Sequence, residues 1–280
     1  MDSIVSATPK KAFALPVARG GYLILIGIYF LLPMLAMARF AFQNVPMALL
    51  TPEKLLTGWS VSGLWTAITD PQVMSATWTS VQIVALSIVL NLVILVPVAI
   101  VTEVRNPALR PLITALTLLP WVIPPIALVV GVAATFRVAA PWFLASNLSL
   151  VPFYALWAMP FTYRVLDAGL QAINARTLYE AARGMGASFP TIIFKVILPN
   201  MRPSMIASAA LTAALVLGEF AFASLLLKST LPTEMVTYQG SDPRGGLALA
   251  LFVMVVTALI LGLVVKAMRR QGINFQASGF

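Results

Sequence analysis

Cysteine and histidine are both absent from the chain, which removes disulfides, thiolate nucleophiles, histidine-ligated metals and histidine acid–base catalysis at once. Charge is scarce as well: 10% of the 280 residues are charged, against 60% that are hydrophobic. A soluble globular domain carries about 25% charged and roughly 45–50% apolar residues, so a water-soluble core cannot hide this much apolar surface. Also missing are a Walker-type glycine-rich segment ending in Lys-Ser/Thr, an HExxH metal site and a Gly-x-Ser-x-Gly elbow. The chain therefore has no machinery for binding ATP by Walker chemistry, and an enzyme acting within the membrane is the least favoured reading. The net charge is +9, yet Lys and Arg fall between apolar blocks rather than along a solvated stripe with aromatics. Topology explains them better than nucleic acid does.

What is present is apolar sequence in membrane-length blocks. Stretches of about 18 or more apolar residues read as bilayer-spanning helices. They predict an all-α polytopic bundle with spans at Gly21–Phe42, Trp78–Val101, Leu112–Phe136, Leu148–Tyr163, Met205–Leu226 and Leu247–Val265. The fourth is short for a hydrocarbon core of about 30 Å and contains Pro152 and Pro160, so it is expected to continue helically past Arg164. Ala36-Met37-Ala38 has the form of a signal-peptide cleavage site. The apolar run before it exceeds a signal core and continues through Phe40 and Phe42, which favours a retained span.

Sidedness follows from the cations. Lys10, Lys11, Arg19, Arg105, Arg110, Arg164, Arg176, Arg183, Lys195, Arg202, Lys266, Arg269 and Arg270 share one side. Arg39, Lys54, Arg137, Lys228 and Arg244 occupy the other. Both termini and the Arg164–Arg202 loop are thus expected in the cytoplasm, with Trp59, Trp65, Trp78 and Trp142 at or near the outer interface. Residues 1–20 read as a cytoplasmic segment, 21–267 as one membrane domain and 268–280 as a cytoplasmic tail. The external connection at 43–77 is long enough to require short helices of its own; that at 228–246 is the other external connection that stands out.

The cytoplasmic loop, about 166–203, holds the densest local signals. Thr177 and Glu180 have capping-box spacing, Ala181 and Ala182 are small strong helix formers, and Gly186 suits a left-handed helix end. Ser188 and Pro190 restart a helix, which Pro199 and Pro203 are expected to separate from the fifth span. Capping alone accounts for the fold of such a hairpin. A rigid, small-faced hairpin of about 40 residues, where most connections are short, also suits docking into a partner's groove.

These residues resemble the permease subunits of binding-protein-dependent ABC importers. The family signature is Glu-Ala-Ala, three residues, Gly, nine residues, Ile, one residue, Leu-Pro. Here it runs Glu180-Ala181-Ala182, Gly186, Val196, Leu198-Pro199, with Val in place of Ile. The resemblance covers nearly the whole chain, Met1–Gly20 being least constrained. It implies a non-catalytic channel-forming subunit in the bacterial inner membrane, without a cofactor of its own. Its partners would be ATP-binding cassette subunits, a second permease, identical or homologous, and a periplasmic or surface-anchored solute-binding protein. The loop would be the coupling helix that docks on the ATPase, with Glu180 making contact and Gly186 allowing a tight turn.

Within the spans, Glu219 is an intramembrane acid and is expected either to line the pathway or a gate or to form a structural pair with an Arg or a backbone amide on a neighbouring span. Pro120, Pro124 and Pro125 must kink or interrupt the third span, with Pro124 and Pro125 marked as a hinge along the pathway. Asn91 reads as an interhelical hydrogen-bond partner. The overall pattern most resembles the branch handling polyamines, ferric iron, thiamine or aminophosphonates, and a lone acid favours a cationic solute. The rivals are a secondary carrier or channel working without ATP, which has no need of the paired-helix loop, and a non-transporting scaffold or sensor.

Overall fold

The computed structural model describes residues 14–45, 51–54 and 57–270. Residues 1–13 and 271–280, the outer parts of the expected cytoplasmic segments, lie outside them. All extended elements in the described residues are helical apart from one isolated antiparallel bridge between Gln43 and Trp59. Helices α1 (Ala14–Phe42), α3 (Pro71–Val104) and α13 (Pro243–Arg270) contain stretches long and apolar enough to cross a bilayer. The fourth such unit is a pair, α4 (Arg110–Val122) and α5 (Pro125–Ala139), bent by 86°.

The remaining two expected spans are α7 (Leu150–Ala172) and α10 (Leu198–Leu217). Neither meets a membrane-span test of length and hydropathy, and their packing gives the reason. The two helices pack on each other and on α3, so much of their surface faces protein, where polar side chains are tolerated. Ser87 and Asn91 of α3, Thr162 of α7 and Ser208 and Thr212 of α10 are fully buried. Thr162 Oγ1 and Thr212 Oγ1 lie 3.0 Å apart, joining α7 to α10, and Ser87 Oγ donates to Val151 O at 3.4 Å. The bond expected of Asn91 is absent: neither amide atom has a hydrogen-bond partner.

Boundaries differ from expectation where caps, not hydropathy, set them. α3 begins at Pro71 rather than Trp78, because Asp70 Oδ1 accepts from the Gln72 and Val73 amides at 2.9 and 3.1 Å and Pro71 needs no partner for a missing N–H. α7 runs past Arg164 to Ala172, as anticipated. The third span is two helices rather than one. Ile123 precedes Pro124 and Pro124 precedes Pro125, so both are driven out of the helical region (ψ 122° and 137°), while Pro120 is absorbed inside α4. The fifth span likewise stops early: α10 ends at Leu217, and a short α11 (Ala221–Leu225) follows.

The external connections carry helices of their own. Between α1 and α3 lie a 3-10 turn at Pro52–Lys54 and α2 (Ser62–Thr69). Buried Gln43 organises this region, its Nε2 donating to Lys54 O and Thr57 O at 2.8 and 2.9 Å. After α5 comes α6 (Pro141–Ala145), and before α13 comes α12 (Leu231–Ser241). α2 and α12 both pack against α3 and α13. Lys228 Nζ donates to the Leu144 and Ala145 carbonyls and so closes α6, and burial pushes its pKa down.

The α7–α10 contact depends on one glycine. A Cβ on Gly169 would fall inside van der Waals reach of Ser204 Cβ and Oγ, so the helices approach through a missing side chain. Overpacking of this kind costs about 1–3 kcal/mol. Gly169→Val is therefore expected to lower the Tm of the detergent-solubilised protein by several degrees, and Gly169→Ala/Ser204→Gly to recover close to the parent value.

Candidate functional site

The hairpin expected in the cytoplasm is built from α8 (Ala175–Gly184), a turn at 185–188, and α9 (Phe189–Ile192). Asn174 enters α8 in the left-handed region (φ 49°) with no side-chain cap, so the chain turns sharply out of α7. The expected Thr177–Glu180 capping box is not formed, because Thr177 already lies inside the helix. Glu180 Oε1 instead accepts from Arg176 Nε at 2.9 Å, one turn back. Gly186 takes the left-handed conformation expected of it, φ 86°. Its amide donates to Arg183 O at 2.9 Å, and the Ala187 amide to Ala182 O at 3.1 Å. A Cβ at Gly186 would meet nothing within 4 Å, so backbone conformation rather than space demands glycine there.

α8 has two faces. Ala175, Tyr179 and Ala182 are buried against Val104, Leu166, Leu170, Ile192, Ile197 and Met201. Glu180, Ala181, Gly184 and Met185 are exposed, Met185 to 83%. The Arg176–Glu180 pair is more than half exposed on both sides, and such surface pairs contribute at most about 1 kcal/mol. The Glu180 carboxylate is thus free to exchange its partner at little cost. Tyr179 Oη accepts from Arg183 Nη1 at 3.0 Å, and that bond holds the phenol pKa below its ordinary value.

Leu198 and Pro199 do not join this exposed face. They begin α10, with Leu198 half-buried against the hairpin core. Nor do Pro199 and Pro203 separate the hairpin from the fifth span: α9 continues through a π-helical segment, Ile193–Ile197, directly into α10. The wider turn lets the Leu198 amide donate to Ile193 O, and Pro199 then falls in the first turn of α10, where no N–H is needed. Asn200 Nδ2 donates to Val196 O at 2.7 Å. The hairpin is thereby joined to α10 by continuous helical backbone.

The two interrupted helices meet on α7. Trp121, just before the Pro124–Pro125 break, stacks on Trp157 with centroids 4.2 Å apart and donates from Nε1 to Trp157 O at 2.9 Å. Trp157 meets Phe222 of α11 edge-on at 5.6 Å. Glu219 lies in the second break and is buried. Its Oε1 accepts from the Ala221 amide at 2.8 Å and the Phe222 amide at 3.2 Å. The carboxylate therefore pairs with amides two and three residues further along its own segment, not with the Arg or the amide of a neighbouring span that was expected. Ile123 and Pro124 are exposed at the surface of the chain. The Trp121–Trp157–Phe222 contacts were not read from the sequence; the only local sign was Trp157 and Phe161 one turn apart, both touching Trp121.

A further cluster ties the cytoplasmic ends of the helices. Arg110 pairs with Glu103 of α3 and, at 3.1 Å, with Asp167 of α7. These groups lie immediately before the hairpin.

A bundle of interrupted and continuous membrane helices with a rigid two-helix hairpin projecting at one end defines a polytopic transport subunit. The model of the family described as binding-protein-dependent transport system inner membrane component matches residues 95–271, and the chain belongs to that family. The molybdenum transport system permease ModB of Mycobacterium tuberculosis is 30% identical over 214 residues, covering 70% of this chain and 80% of that protein. A probable D-methionine transport system permease of Vibrio cholerae is 24% identical over 155 residues, 53% of this chain and 68% of the relative. The sulfate transport permease CysT of Salmonella typhimurium is 28% identical over 187 residues, 63% and 66%. The chain is accordingly a multi-pass inner-membrane permease subunit of an ABC importer, without catalytic activity of its own. Membership implies a separate ATP-hydrolysing subunit and a solute-binding protein. These relatives are named for molybdenum, methionine and sulfate rather than for polyamine, iron, thiamine or phosphonate.

Glu219 offers a direct check on its observed role. Removing its carboxylate leaves two backbone amides unsatisfied, at about 1–3 kcal/mol where such groups are buried. Glu219→Ala is expected to lower thermal stability measurably and Glu219→Gln, which keeps an acceptor oxygen, to lower it much less. Equal losses in the two variants would assign the effect to charge.

Proposed function

We propose that this chain forms, with a second permease subunit, an alternating-access pathway for a small oxyanion, and that its α8–α9 hairpin docks on the ATPase through Glu180, Ala181, Gly184 and Met185. The observation that carries the docking reading is the division of α8 into a buried aromatic and aliphatic face and an exposed face on which Ala181 and Gly184 lie among Arg176, Glu180 and Arg183 and which ends in Met185. The small residues admit close approach, and an exposed thioether is an adaptable apolar contact. Leu198 and Pro199 act behind that surface, carrying hairpin movement into α10.

The second permease is called for by where the interrupted span lies. Ile123 and Pro124 are exposed in the isolated chain, and non-helical backbone at membrane depth requires cover by protein or a water-filled cavity. Pairing two chains across this face supplies that cover and places Pro124 and Pro125 beside the pathway. α1 has none of its apolar span buried within the chain, leaving further surface for lipid or partner.

The solute reading departs from the cationic preference drawn from Glu219. That carboxylate is engaged by backbone amides, which removes the ground for assigning it to a cation. Support for an oxyanion is the likeness to permeases named for molybdenum and sulfate. The intact importer in proteoliposomes should take up molybdate or sulfate in an ATP-dependent manner, with methionine and putrescine as controls. Uptake of either control and of neither oxyanion would overturn the solute assignment while leaving the transporter intact.

Docking is tested separately. Gly186→Ala forces a side chain into the left-handed region at about 1–2 kcal/mol, and Glu180→Ala removes the exposed carboxylate. Each is expected to reduce uptake and stimulated ATP hydrolysis at least about ten-fold with membrane insertion unchanged, a loss equivalent to about 1.4 kcal/mol of coupling. Full transport in both variants would remove the docking role.

A further inference from the structure

The cytoplasmic end of α3 reaches the hairpin through one charged side chain. Arg105 closes α3, its amide donating to Val101 O at 3.0 Å. Its guanidinium lies 4.1 Å from the centroid of the Phe189 ring, the first residue of α9. That ring meets Tyr179 of α8 edge-on, with centroids 6.1 Å apart at 74°. A side chain from α3 thus rests on the aromatic pair that joins the two arms of the hairpin.

The surroundings make this contact more than one among many. On one side Val104, Tyr179, Ala182 and Ile192 share a buried core. On the other, the walls stand apart around an apolar groove of about 250 Å³ between Val96–Val101 of α3 and Ile193–Leu198, with Phe189 among its lining residues. Arg105 therefore bridges the junction where apolar packing gives way to open space. Nearer the other end of α3, in its third turn, Ser80 Oγ accepts from the Leu231 amide at 2.7 Å, which opens α12. The helix between Ser80 and Arg105 is about 38 Å long at 1.5 Å per residue. Polar contacts thus hold α3 to the hairpin at Arg105 and to α12 at Ser80.

We propose that Arg105 is a positioning residue that fastens α3 to the hairpin, so that displacement of the hairpin by the ATPase reaches α12 as a shift of α3. The proposal rests on the docking role of the hairpin given above. A physical coupling claim needs an element that both sites bias, and α3, held at Arg105 and at Ser80, is the element proposed. A cation over an exposed ring shifts an equilibrium by about two- to five-fold, which sets the size of effect to look for.

The lack of native cysteine makes the test clean. Met74 on the external part of α3 and Val138 on α5 are both exposed, so Met74→Cys/Val138→Cys carries a nitroxide pair without other labelling sites. The assembled permease–ATPase complex in nanodiscs is measured by double electron–electron resonance with and without ATP, which needs no solute. ATP is expected to shift the distance distribution in the parent. Arg105→Met, which keeps the apolar stem, should shrink the shifted population about two- to five-fold, and Arg105→Lys should restore most of it. Phe189→Leu should match Arg105→Met, with the double variant no worse than either single one. ATP hydrolysis without coupling should persist in all of them.

An ATP-dependent shift unchanged in Arg105→Met, additive losses in the double variant, or no shift in the parent would each overturn the proposal. Glu180→Ala separates the two layers. A shift lost in Glu180→Ala but kept in Arg105→Met overturns the Arg105 assignment alone. A shift kept in both overturns the docking reading beneath it.

Discussion

Lipid offers no hydrogen-bond partners, and this constraint shapes the two interruptions within the membrane helices. The chain breaks its membrane helices twice, at Ile123–Pro124 and at Gly218–Phe220, and the two breaks are satisfied differently. At the first, prolines remove the donors that would be orphaned, and Pro124 O accepts from the Ala127 and Leu128 amides at 3.0 and 3.2 Å. At the second, a buried carboxylate supplies the acceptors that the next short helix lacks. Aromatic contacts through Trp157 join both breaks to α7, which makes that helix the support of the two irregular segments.

The same constraint explains the gradient of polarity across the bundle. The apolar stretch of α1, none of it buried within the chain, carries no charge between Arg19 and Arg39. α7 and α10, packed on each other and on α3, carry hydroxyls, the acid Asp167 and the bases Arg164 and Arg202. Hydroxyls pair across the α7–α10 contact, and the small residue Gly169 lets it close. The polar side chains serve helix association here, and the ion cluster of Arg110, Glu103 and Asp167 extends that association to the cytoplasmic surface.

The helical class and the position of the hairpin were legible because each rests on a strong signal: block hydropathy or a spaced motif. Gly186 was legible as well, since a glycine past a helix-forming run announces its conformation. Boundaries were less so. Trp78 looked like the start of a span because hydropathy marks where the hydrocarbon begins, whereas Asp70 marks where the helix begins. The Thr177–Glu180 spacing misled because Asn174, left-handed and without a side-chain cap, had already turned the chain. Pro199 misled in the opposite sense: a π-helical turn moved it to a position where proline costs nothing. Contacts between distant segments, such as Trp121 with Trp157 or Arg105 with Phe189, leave no periodic trace in a single sequence.

The neighbouring alanines of the hairpin are not equivalent, although nothing in their chemistry tells them apart. Ala182 faces the bundle and Ala181 faces outward, so one belongs to the architecture and the other to the surface proposed to meet the motor. If that surface is the dock, re-addressing this permease to a foreign ATPase means rewriting Ala181, Gly184 and Met185 while leaving Ala182 as it stands. A single peptide step separates what must be inherited from what is open to redesign.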